Sequence, residues 1–245
     1  MGDLILAEHL KCKRRFIKSC IILGPVIVLF HVLVAPYYFI ANGYNWWYIL
    51  ILPGYISISA SLLHQYEEKL NHYRGILTLP LSLEKTWLAK IILLVIYLWI
   101  TSLIHLSILC LGKGTILVYV AKSIPYRQMI LGSFVLFVTH LWQIPFCLFL
   151  SKKIGMAFTI LVHVVLGTML NIIFATKSLW WISPYSWGSR LMVPILGVLP
   201  NGLIAEKGET MVTSTSIPLG ILLSILFFLA LSFLTMKWFQ RQEGN

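Results

Sequence analysis

Charge is scarce in this chain, and acidic charge is scarcest. Of 245 residues, 11% are Asp, Glu, Lys or Arg, and eight are acidic; a soluble domain carries about 25% charge. Between Lys18 and Glu67 no charged residue occurs. With 59% hydrophobic residues and a mean hydropathy of +0.87, the composition is that of an integral membrane protein with no room for a sizeable soluble domain. The net charge of +11 does not indicate nucleic acid, because the basic residues stand at the ends of apolar spans, where membrane topology places them.

The catalytic motifs that would give such a chain its own engine are also missing. Gly112-Lys113-Gly114-Thr115 sets a lysine among glycines without the G-x-x-x-x-G-K-[ST] spacing, which excludes ATP hydrolysis by that route. There is no HExxH, and the four cysteines, Cys12, Cys20, Cys110 and Cys147, show no CxxC spacing. Glu67-Glu68 opens like the EExxxR of glutamate-type intramembrane proteases, but His72 stands where Arg belongs and Arg74 comes two residues late. No Asp, Glu, Lys or Arg lies near the centre of a span, which argues against an ion-coupled secondary transporter.

What is present starts with MGDLILAEHLKCKRRFIKS. Its basic cluster follows ten other residues and no cleavage site comes after the apolar run, unlike a signal peptide. Leu6 occupies the Ser/Thr position of a myristoylation signal. Residues 1–18 read as a basic amphipathic helix lying on the inner membrane face. Six spans of about 20 residues then fit residues 19–40, 45–64, 87–111, 129–150, 154–176 and 217–238, with the polar run Ala41-Asn42-Gly43-Tyr44-Asn45 as the first turn. Pro25, Pro53 and Pro145 are expected to kink their helices, and Ser57, Ser59 and Ser61 to let helices pack closely. His105, His140 and His163 fall within three different spans, either as a proton path or as neutral groups hydrogen-bonded to neighbouring helices.

Residues 65–90 concentrate the charge that the spans exclude. Glu67, Glu68, Lys69, Arg74, Glu84, Lys85 and Lys90 share this window with the breakers Gly75 and Pro80, so it lies in water or at the membrane surface, as a bent docking elbow or a solvated loop. Residues 177–216 are apolar and Trp-rich but broken by Pro184, Gly188, Arg190, Pro194, Gly197 and Pro200. They read as a hairpin re-entering the outer leaflet, or alternatively as a kinked crossing. With both termini in the cytosol, thirteen of the nineteen Lys and Arg fall inside and six outside.

The order of these features resembles a permease subunit of an ABC-2-type exporter, and within that class the lantibiotic self-immunity permeases of Gram-positive bacteria, the EpiE/MutE-like group. The residues carrying the resemblance are Glu8-His-Leu-Lys-x-Lys-Arg-Arg15, Asn45-Trp-Trp-Tyr48, Tyr73-Arg-Gly-Ile-Leu-Thr-Leu-Pro80 and Lys85-Thr-Trp-Leu-Ala-Lys90. It implies an all-α polytopic fold of six transmembrane helices in a single permease domain over residues 1–245, with the outer re-entrant hairpin between helices five and six. It implies a non-catalytic transport subunit in a bacterial cell membrane, paired with a second permease subunit, often a different chain, over two copies of an ATP-binding subunit that bind ATP and Mg. Glu67, Glu68, Tyr73, Arg74, Leu77, Leu79 and Pro80 would couple to that ATPase, with Lys152 and Lys153 as a smaller contact. The cargo implied is a lantibiotic peptide drawn from the membrane and expelled. Tyr37, Tyr38, Trp180, Trp181, Trp187 and Arg190 would line its path, unless they form an ordinary interfacial aromatic belt. Another amphipathic cargo, a lipid, drug or peptide, fits the same fold.

Overall fold

The computed structural model describes residues 1–34, 36–71, 82–115, 124–206, 208–212 and 216–241. Among them the regular elements are helices, joined by turns and irregular segments such as residues 197–206, with an antiparallel bridge from Val198 to Ile204. The helices are α1 (Gly2–Lys11), α2 (Phe16–Val34), α3 (Phe39–Trp46), α4 (Leu52–Asn71), α5 (Leu83–Thr115), α6 (Tyr126–His140), α7 (Gln143–Leu161), α8 (Gly167–Phe174), α9 (Pro184–Leu196) and α10 (Ser216–Gln240). Among the described residues four helical runs are long and apolar enough to cross a membrane: Pro36–Gln65, Leu83–Gly114, Tyr126–Phe174 and Ser216–Gln240. Phe16–Phe30 is a shorter apolar helix.

The run Tyr126–Phe174 is 49 residues long, but it is not one rod. Gly155 has φ 80° and ψ 172°, a region open in practice only to glycine. On a straight helix Phe146 and His163 would stand about 25 Å apart; their rings are 6.1 Å apart. The chain therefore doubles back at Gly155, and Lys152 and Lys153 sit at the tip of a helical hairpin. Pro145 falls in the first turn of α7, where no backbone N–H is needed, so it begins a helix rather than kinking one.

The first turn differs from the sequence expectation. Residues 41–45 are not a turn but part of α3, which continues through a π-helical segment, Trp47–Ile51, into α4. Close packing explains this. A Cβ added at Gly43 would stand 2.6 Å from Leu109 of α5, and one added at Gly112 of α5 would strike Phe39. The two glycines bring α3 and α5 into reciprocal contact. Asn45 donates to the Tyr48 hydroxyl at 2.9 Å and to the Pro200 carbonyl at 3.2 Å, so its polarity is met inside the fold. The chain leaves regular α-helix earlier, between the end of α2 at Val34 and the 3-10 turn Pro36–Tyr38.

Residues 177–216 also depart from a two-helix hairpin: the described part holds one 13-residue helix, α9, with short turns on either side. Pro184 opens it at its first position and Gly197, with φ 68°, closes it. Nine of its residues are buried, against α6, α8 and α10. Gly132 of α6 accommodates Leu196, and Gly220 of α10 accommodates Leu191. Ser57, Ser59 and Ser61 are fully buried on α4, which packs extensively on α7.

Candidate functional site

One end of the helices is tied together by charge and aromatic rings. Glu8 of α1 places Oε2 2.9 Å from Lys90 Nζ of α5 and Oε1 2.7 Å from Lys11 Nζ. The Glu8 and Lys90 side chains are 3% and 1% exposed, so each charge has lost its water and is compensated inside the fold. His9 extends the joint. Lys18 donates to its Nε2 at 3.2 Å; a lysine ammonium can only donate, so Nδ1 carries the proton and donates to the Tyr97 hydroxyl, 2.9 Å away. Cys12 is buried in the same joint, and burial pushes its thiol above the ordinary thiol range.

The start of α5 is equally bound to the end of α10. Glu84 accepts from Lys237 at 2.5 Å. Trp87 donates its indole N–H to Thr235 Oγ1 at 3.1 Å and stacks on Phe239, with centroids 4.5 Å apart. The hairpin tip closes on the same rings: Lys152 Nζ lies 4.3 Å from the Phe239 centroid and Lys153 Nζ 5.2 Å from that of Trp238. Phe149 meets Trp238 edge-on at 4.7 Å. Gln65, near the end of α4, reaches Met156 Sδ beyond the tip at 3.2 Å. Segments from the start, middle and end of the chain thus meet at one face, and the elbow springs from it. Glu67 and Glu68 fall on the last turns of α4, while Tyr73, Arg74, Leu77, Leu79 and Pro80 lie outside the described residues.

The aromatic candidates separate. Tyr37 and Tyr38 are exposed and meet edge-on at 4.9 Å. Trp181 is exposed, whereas Trp180 and Trp187 are buried. Trp187 spends its indole N–H on the Trp181 carbonyl at 3.0 Å and packs on Phe227. Arg190 donates to the Ala175 carbonyl at 3.3 Å; burial lowers its pKa, and nearby Glu209 opposes that.

The three span histidines do not form one chain of hydrogen bonds. His105 stacks on Trp47 at 4.2 Å and bonds the Gly43 carbonyl at 3.2 Å. His140 bonds the Leu136 carbonyl at 2.8 Å. His163 bonds the Tyr185 hydroxyl at 3.0 Å. The Glu8–Lys90 joint was not visible to sequence reasoning; its one signal is a lone glutamate inside a basic cluster.

Residues 4–196 match the family model described as ABC-2 family transporter protein. Comparison with curated proteins and with solved structures returns no match.

Proposed function

This chain belongs to the ABC-2 transporter family, and from that premise we propose that it is the permease of a lantibiotic self-immunity exporter in a bacterial cell membrane. Membership makes it a membrane transport subunit that works with an ATP-binding subunit. The observation that supports coupling to an ATPase is the tied face, where α1, the root of the elbow, the hairpin tip and the end of α10 converge; the cargo rests on the sequence resemblance alone. In this reading both termini and residues 65–90 are cytosolic. Two ATPase copies bind ATP and Mg there, and a second permease, a different chain, completes the pore. Splitting Tyr126–Phe174 at Gly155 and adding α2 gives six crossings, with α9 as the re-entrant element.

ATPase closure pushes residues 73–80. The push reaches α1 through Lys90 and α10 through Glu84 and Trp87, because those contacts leave α5 no independent play. The outer mouth then opens to a cationic peptide. Tyr37, Tyr38 and Trp181 are exposed whereas Trp180 and Trp187 are buried, which supports the first three as its aromatic contacts.

The test is a pull-down of the tagged chain from gently solubilised native membranes. We expect a Walker-motif ATPase and a second polytopic chain to co-purify, and to be lost when residues 73–80 become a Gly/Ser linker. Normal docking with that linker would overturn the elbow assignment. Unchanged lantibiotic survival in a strain lacking this chain would overturn the cargo while leaving the permease intact.

A further inference from the structure

A groove opens sideways between α2 and α4. It encloses about 290 Å³, at the lower edge of the roughly 300–1,000 Å³ of ligand pockets, so it has room for a single slender chain and not for a folded peptide. Phe16, Cys20, Leu23, Gly24 and Ile27 line one wall, at the spacing of one helix face. Leu50, Ile51, Gly54, Tyr55 and Ile58, with Val164, line the other. Phe16 to Ile27 spans about 16 Å, close to half of a roughly 30 Å hydrocarbon core: the depth of one leaflet.

The groove begins at a basic corner. Lys13, Arg14 and Arg15, all exposed, immediately precede Phe16, the first residue of its wall. Arg14 has φ 60°, a left-handed conformation that non-glycine residues seldom adopt, and it turns the chain between α1 and α2. The two glycines keep the trough open. A Cβ added at Gly24 would find its nearest neighbours, Trp47 and Tyr55, at 3.8 Å, and one at Gly54 would find only Val164, at 3.9 Å. A Cβ at either position meets the fold at ordinary van der Waals distance, with no clash against the backbone.

We propose that this groove is a binding site for one anionic phospholipid, with an acyl chain between α2 and α4 and the phosphate against Lys13, Arg14 and Arg15. A one-leaflet apolar trough that starts at a cluster of cations matches a negatively charged headgroup on a single chain, and matches neither a zwitterionic lipid nor a cationic peptide. The lipid would bridge α1 to α2 at the corner where α1 joins the tied face.

The experiment places the full-length chain, with whatever subunits co-purify, in nanodiscs of phosphatidylcholine carrying a trace of spin-labelled phosphatidylglycerol or, in parallel, spin-labelled phosphatidylcholine. We expect a motionally restricted signal for the glycerol lipid alone. Lys13→Gln with Arg14→Gln should weaken it about 25-fold, at about fivefold per cation. Gly54→Leu and Gly24→Leu should each abolish it while leaving the unfolding temperature within a few degrees of the parent. Equal restriction of both lipids, or a full signal in the charge variant, overturns the proposal. So does a groove-filling variant that keeps its lipid but loses its oligomeric state on size exclusion, which would make the groove a contact between chains.

Discussion

Glu8 and Lys90, 82 residues apart in sequence, form a 2.9 Å ion pair almost wholly out of solvent. Removing Glu8 takes the carboxylate partner from a buried lysine, whereas removing Lys90 leaves Glu8 its pair with Lys11. Glu8→Ala is expected to destabilise the protein by about 3–5 kcal/mol, whereas the double change Glu8→Leu with Lys90→Met should be neutral or stabilising. Thermal unfolding in detergent checks both. If the double variant is as damaged as the single, the pair does more than hold α1.

Cys12 reports whether α1 is seated. It is 3% exposed, and burial holds its pKa above the ordinary thiol value. Alkylation needs the thiolate, so maleimide should label Cys12 more slowly than a free thiol at pH 7–8, and faster once Glu8→Ala releases α1. The same shift gives stability a sign. The folded state keeps the proton longer than the unfolded one, so this contribution is complete below the ordinary thiol pKa and is lost as pH rises through the folded value. Cys12→Ala should flatten that alkaline decline.

Gly155 tests the hairpin. Nothing lies within 4 Å of a Cβ added there, yet its φ is 80°. Gly155→Ala should therefore cost about 1–3 kcal/mol through backbone conformation alone, read as a lower unfolding temperature. No loss would mean that the reversal tolerates another geometry.

The ring pair at the end of α10 should matter more than the lysines over it. Phe239 is 1% exposed and stacks on Trp87. Phe239→Ala is expected to cost about 3–5 kcal/mol, while Lys153→Ala should change stability by less than about 1 kcal/mol and weaken ATPase co-purification. A large stability loss from Lys153→Ala would make it a packing residue and remove it from the docking surface.

The span histidines separate the exporter from proton-coupled chemistry. His163→Phe keeps the ring against Trp142 and Phe146 and loses one bond to Tyr185. Transport should survive with a modest drop in stability of about 1 kcal/mol. Abolished transport in a folded variant would restore the proton-path reading.

Much of this was legible from charge and hydropathy. The apolar spans and the basic turn at Lys152-Lys153 follow from what hydrocarbon excludes. The misread positions share a cause: a residue's local habit was overridden by a distant neighbour. Asn42-Gly43 looks like a turn, but Gly43 is small because Leu109 needs the room. Trp180 and Trp187 look like interfacial belt residues, but the Trp187 indole is satisfied internally and its ring is core. Glu8 and Lys90 are each unremarkable alone, and their meaning appears only when α1 lies on α5. Such pairings are set by tertiary contact, which spacing along one helix does not encode.

The tied face also carries an order of manufacture. A ribosome delivers Glu8 long before Lys90 exists to receive it, and Trp87 waits 148 residues for Thr235 and Glu84 153 residues for Lys237. The face closes only when α10 has been inserted. A nascent or truncated chain that lacks α10 therefore leaves Glu84 and Trp87 without the contacts that hold the start of α5.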